Sequence, residues 1–132
     1  IDLDKFKGIN DNYGHLAGDE YLLAVSDLLK KNFRSTDYLG RWGGDEFIVF
    51  LPETNAEGAL VIASKLLKNL AETTLSIAGH SIHASVSIGI AAMPEHTKKI
   101  HELMDFADAA MYKAKGAGRG CYCIYEPLLP PA

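Results

Sequence analysis

The sequence predicts an α+β fold: a mostly antiparallel sheet flanked by helices, ferredoxin-like at its core. Three observations lead there. Short apolar, strand-like runs alternate with longer segments whose apolar residues recur at helical spacing. Two of the short runs, 37–42 and 46–52, flank Gly43-Gly44 and read as a β-hairpin. The length of 132 residues, 48% hydrophobic and 23% charged, is that of one globular domain.

The elements follow in the order β-α-β-β-α-(β)β-α-β. "IDLD" at 1–4 is a short strand, and "KFKGINDNYGH" reads as a polar loop because Gly8, Asn10, Asn12 and Gly14 favour turns. Tyr21, Leu22, Val25, Leu28 and Leu29 mark one apolar face of a helix from about Ala17 to Phe33. After the hairpin, which Pro52 ends, Thr54 and Glu57 form a capping box that opens a helix to about Ala71. A small hairpin turning at Gly79-His80 leads into a long strand over 82–91. A last helix spans about 100–115, "GAGRG" stops it, and "CYCIY" is a final strand. The domain is expected to span 1–126, with "PLLPPA" at 127–132 as a tail or linker.

Composition narrows the function classes. A net charge of −4 argues against a nucleic-acid partner bound through a basic surface. No apolar run is long enough to span a membrane. Cys121 and Cys123 would point the same way from a strand, a poor geometry for a disulfide, which suggests a reducing, cytoplasmic setting. No zinc-type ligand spacing occurs. The chain opens directly on a strand-like run, which predicts that the sequence begins inside a domain.

The chemistry concentrates in "WGGDEFI" at 42–48. If the 1–4 strand lies beside the hairpin, Asp2 and Asp45 face each other from neighbouring strands, with side chains about 5 Å apart. Two carboxylates that close repel unless a cation joins them or one takes a proton. Magnesium is the natural cation, since it bridges one or two carboxylates to a substrate phosphate. Gly43 and Gly44 leave bare amides for phosphate oxygens. Asp4 taken alone reads as a solvated turn acid, and Trp42 reads as packing.

"GGDEF" at 43–47 resembles the name-giving motif of the GGDEF domains, the diguanylate cyclases; as a chance pentamer it has a frequency of about one in a million. "DLDKFKGINDNYGHLAGDEYL" at 2–22, "SVSIGIA" at 85–91 and "ADAAMYKAKGAGRG" at 107–120 are similar to the family's other blocks, in the same order. The family's opening helix and the segment before the first strand are missing from the match.

The resemblance implies a palm-type fold and the condensation of two GTP into cyclic di-GMP, with release of two pyrophosphates. It implies that two GGDEF domains face each other as a dimer, each presenting one GTP. Carried onto this sequence, Asp2, Asp45 and the carbonyl of Leu3 would hold Mg2+, and Glu46 would assist the metal or deprotonate the attacking 3′-hydroxyl. Asn10 and Asp19 would read guanine. An ionised Asp is an acceptor only, and guanine offers it two N–H donors that adenine lacks. Phe6 and Lys7 flank that loop, and Lys7, Lys115 and Arg119 would contact the triphosphate beside Gly43 and Gly44. Arg34 and Asp37, spaced Arg-x-x-Asp five residues before the motif, match an inhibitory site for cyclic di-GMP. Six strand steps put that site up to ~20 Å from the turn. The resemblance also implies an N-terminal sensor domain in the parent protein, which itself could be membrane-anchored. The alternatives are a non-catalytic GGDEF module that binds GTP or cyclic di-GMP, and another nucleotidyl cyclase on the same fold. His15, His80, His83, His96 and His101 form no constellation, and the last three read as surface residues.

Overall fold

A computed structural model describes residues 1–127. The elements are β1 (Asp2–Leu3), α1 (Phe6–Tyr13), α2 (His15–Lys31), β2 (Tyr38–Gly43), β3 (Glu46–Phe50), α3 (Ala56–Glu72), β4 (Thr74–Ile77), β5 (His80–His83), β6 (Val86–Ile90), α4 (Ile100–Gly116) and β7 (Tyr122–Ile124). Five strands form one sheet in the order β2-β3-β1-β6-β7, and β4-β5 form a separate hairpin. All pairings are antiparallel except β6 with β7, which α4 joins as a crossover. The α+β expectation holds.

The two-residue strand β1 lies at the centre of the sheet. Asp2 pairs with Glu46 on one side and with Ser87 on the other. On α2, Ala17, Tyr21, Val25 and Leu29 recur every four residues and are all buried. Such a stripe makes the helix through packing, and each fully buried aliphatic side chain contributes about 1.5–3 kcal/mol of transfer free energy. β6 is buried on both faces at Val86, Ser87, Ile88 and Ile90, with the small residues Ser87 and Gly89 between its apolar ones. Gly89 sits where α4 crosses it. A Cβ there would lie 2.0 Å from the Ala107 carbonyl oxygen and 2.3 Å from the Met111 nitrogen. An isolated glycine inside a strand marks such a close approach.

Several boundaries differ from expectation. Residues 6–13 are helical, because Phe6 and Ile9 pack against the core beside α2, which outweighs the turn preference of Gly8, Asn10 and Asn12. The break falls at Gly14, whose φ is 91°. The predicted strand 82–91 is divided at Ala84-Ser85, and the small hairpin turns at Ala78-Gly79. The N-cap of α3 is Asn55, whose side chain accepts from the Gly58 amide at 2.8 Å. Thr54 instead donates to the Pro52 carbonyl and accepts from Arg34. Trp42 is 66% exposed and is no packing residue. His96 is half-buried, its Nδ1 accepting from the Ala92 amide. Of the 127–132 tail, all but Pro127 lies outside the described residues.

Candidate active site

The β2–β3 hairpin places the acids. Gly43 pairs with Glu46, so the turn is Gly44-Asp45, with a register shift between Arg41 and Gly43. The Arg41 guanidinium closes over this turn, donating to the Gly44 carbonyl from Nε at 3.1 Å and from Nη2 at 2.8 Å. Neither Gly43 nor Gly44 has a positive φ, and nothing lies within 4 Å of a Cβ built on either. The chain's own geometry therefore does not require glycine here. The open backbone beside the turn suits a ligand that must come close.

Across the turn, the Leu3 amide donates to the Asp45 carbonyl at 3.0 Å and locks β1 to the hairpin. Asp2 is 4% exposed. One of its oxygens, Oδ2, is ion-paired with the Lys115 ammonium at the end of α4. The other, Oδ1, is buried without a hydrogen-bond partner. A buried orphan oxygen costs about 1–3 kcal/mol, and more when charged. Burial and then the Asp2 charge push the Asp45 carboxyl above its ordinary pKa. Burial, then Asp2 and Asp108, do the same to Glu46. The hydrogen bond with Asp2 raises the Lys115 pKa against its desolvation, helped by the charges of Asp2, Asp45 and Asp4.

This is a cluster of acids with the Lys115 ammonium among them. The orphan Asp2 oxygen and the like-charge effect on Asp45 fit a site for a second cation. Among the described residues no three His, Cys, Asp or Glu side chains form a metal cage. Two carboxylates and a main-chain carbonyl suit magnesium, which keeps positions for water and substrate phosphate.

Asn10 on α1 and Asp19 on α2 lie to either side of the α1–α2 junction. Asn10 Oδ1 lies 1.8 Å from where a Gly18 Cβ would stand, so Gly18 leaves room for the Asn10 amide beside Asp19. Asp19 is exposed and shares a depression with Arg41 and Phe47. Phe6 stacks on Tyr21 with centroids 6.4 Å apart, so one side of its ring belongs to the core. Lys7 is exposed on α1. Arg119 is exposed in the turn after α4, with φ 63°, a left-handed conformation that costs a non-glycine residue about 1 kcal/mol.

Arg34 and Asp37 bind each other. Asp37 accepts from the Arg34 amide at 2.8 Å and from its guanidinium at 3.1 and 3.4 Å. Arg34 also donates to Pro52 and Thr54. Burial works to raise the Asp37 pKa, but the Arg34 hydrogen bonds and charge outweigh it and leave the carboxyl below its ordinary value.

Three features escaped the sequence reading. The Arg41 brace had no signal beyond its place in the hairpin. The seat of α4 on Gly89 was signalled by an isolated strand glycine. Asp4 is the clearest correction: it is 5% exposed and hydrogen-bonded, so it is no solvated turn acid.

The profile of the diguanylate cyclase GGDEF domain matches residues 1–121. The chain is 43% identical over 126 residues to the bifunctional diguanylate cyclase/cyclic di-GMP phosphodiesterase MucR of Pseudomonas aeruginosa, covering 96% of this chain and 18% of that protein. It is 44% identical over 130 residues to the diguanylate cyclase DosC of Escherichia coli, covering 98% of this chain and 28% of that one. The chain thus spans under a third of either curated relative. The crystal structure of the GGDEF domain of YfiN (TpbB) from Pseudomonas aeruginosa superimposes with a TM-score of 0.90 at 36% identity, covering 96% of this chain and 80% of that one.

Proposed function

The chain belongs to the GGDEF family of diguanylate cyclase domains, and from that premise we propose that it condenses two GTP into cyclic di-GMP, releasing two pyrophosphates. The observation that carries the reading is the buried Asp2 beside Asp45, with one orphan oxygen, next to an open glycine backbone. Asp2, Asp45 and the Leu3 carbonyl would hold Mg2+, which supplies charge neutralisation and alignment of the triphosphate.

The remaining chemistry falls to the chain's own groups. The Gly43 and Gly44 amides take phosphate oxygens. Lys115 leaves Asp2 for the triphosphate, where Arg119 and Lys7 add positive charge. Asn10 and Asp19 read the guanine edge. With adenine the Asp19 carboxylate would lose its donors, which corresponds to roughly tenfold or greater discrimination. Glu46, with its raised pKa, is the group suited to take the 3′-hydroxyl proton, since a base works best when its pKa lies nearer the working pH.

Each domain holds one GTP, so the reaction needs a second GGDEF domain as a homodimer partner. Arg34 and Asp37 form an inhibitory site for cyclic di-GMP that opens when product displaces their mutual contact. A sensor domain in the parent protein controls pairing, and the domain works in the cytoplasm. No helix among the described residues is long and apolar enough to cross a membrane.

Incubation of the dimerised domain with GTP and magnesium, followed by product identification, is expected to yield cyclic di-GMP. Tight GTP binding without turnover would instead support a non-catalytic module. Formation of cyclic AMP or a mixed dinucleotide would overturn the guanine assignment.

A further inference from the structure

Asp4 accepts three hydrogen bonds in a buried position. Ser87 Oγ donates to Oδ1 at 2.6 Å, Ser85 Oγ to Oδ2 at 2.6 Å, and the Gly120 amide to Oδ2 at 2.9 Å. The Asp4 amide in turn donates to the Ser85 carbonyl at 2.8 Å. These bonds join three places: the end of β1, the start of β6 and the turn after α4. Hydrogen bonds to an ionised acceptor are about twice as strong as neutral ones.

The turn they reach is unusual in its backbone. Gly118, Arg119 and Gly120 all have positive φ, at 112°, 63° and 60°. The Arg119 amide reaches back to the Ala114 carbonyl at 3.2 Å, and the next link to the sheet is Gly120 to Asp4. Asp4 also lies two residues after Asp2. A single short segment therefore carries a metal-binding acid and the anchor of the turn that presents Arg119.

We infer that Asp4 is a positioning residue: its carboxylate latches the 118–120 turn to β1 and so fixes Arg119 relative to the Asp2–Asp45 acids, without touching substrate. The step from latch to nucleotide rests on the function proposed above; the latch itself does not. Ser85 and Ser87 hold the carboxylate in the orientation that meets the Gly120 amide.

Two measurements on the 132-residue chain separate these levels. The first is amide hydrogen exchange without nucleotide. Exchange at 118–120 is expected to accelerate about tenfold in Asp4→Ala, and less in Asp4→Asn or Ser87→Ala, with the β6 core amides unchanged. The milder variants decide the matter if Asp4→Ala does not fold. Unchanged exchange at 118–120 in a folded Asp4 variant overturns the latch.

The second is calorimetric binding of α,β-methylene-GTP with magnesium to wild type, Asp4→Ala, Arg119→Ala and the double variant. Each single change is expected to weaken binding about tenfold, and the double variant to bind no more weakly than the weaker single. Losses that multiply, or an Arg119→Ala that binds like wild type, would show that Asp4 does not act through Arg119. A wild type that fails to bind the analogue sinks the proposed function, while the exchange result still decides the latch.

Discussion

Two ion pairs in this molecule look alike in composition and differ in how completely they are satisfied. Arg34–Asp37 is local, three residues apart: Asp37 takes three hydrogen bonds from Arg34, whose Nη2 also reaches Pro52 and Thr54. Lys115–Asp2 joins the last helix to the central strand and stays open: one Asp2 oxygen has no partner, and the charges of Asp45 and Asp4 act on the same cation. The local pair serves the fold as it stands. The long-range pair leaves a like-charge conflict that another cation or a proton relieves, and groups perturbed in this way mark candidate functional sites.

The largest test of that contrast is Asp45→Asn. Cyclase activity is expected to fall by about a thousandfold or more if Asp45 holds the metal as proposed. Stability should move the other way. A carboxyl whose folded pKa is raised is a liability above that pKa, and the liability fades as pH falls through it. In metal-free buffer at pH 7.5, Asp45→Asn should therefore melt about 1–3 °C above wild type, with the gap narrowing toward pH 4. A variant that melts below wild type at neutral pH would show that the acids are not in conflict.

A second change moves the cation rather than the acids. Gly89→Ala drives a Cβ into the backbone of Ala107 and Met111, so α4 must shift and carry Lys115 with it. Overpacking of this kind costs about 1–3 kcal/mol. Urea denaturation should show that loss, and metal-free exchange at β1 amides should rise with it. Unchanged stability would mean that α4 is seated less tightly on β6.

Asp37→Asn is the smallest effect and has the opposite sign to Asp45→Asn. A carboxyl with a lowered folded pKa contributes stability above its unfolded pKa, and that contribution is lost as pH falls through the folded value. The variant should melt about 1–2 °C below wild type at pH 7, and the difference should shrink as pH falls through the lowered folded pKa of Asp37. A constant difference across that range would assign the effect to packing.

The same contrast explains what the sequence made legible. The hairpin, α3 and α4 follow from local signals: turn glycines, cap residues and apolar spacing. Strand spacing brought Asp2 to the hairpin acids, although the register sets it opposite Glu46 and leaves Asp45 beside it in the turn. Helix α1 was hidden because its polar, turn-favouring residues become helical only against α2. Asp4 was hidden for a related reason. Its partners, Ser85, Ser87 and Gly120, lie at |i−j| of 81 or more, and no local pattern distinguishes a latched acid from a solvated one. Thr54 fitted the capping pattern, yet its hydroxyl is bonded to Arg34 and Pro52, and the cap falls to Asn55.

The position of β1 has a consequence in time. Asp2 and Asp4 are synthesised well before Lys115 and Gly120. Domains generally fold as units, and pairings between distant segments form late. A ribosome-bound chain that has made β1, α1, α2 and the hairpin already gathers its carboxylates, with no ammonium and no latch to meet them. The nascent domain thus carries Asp2, Asp45 and Glu46 as mutual repulsion until α4 docks over Gly89, so that an incomplete chain lacks the Lys115 ammonium that pairs with Asp2.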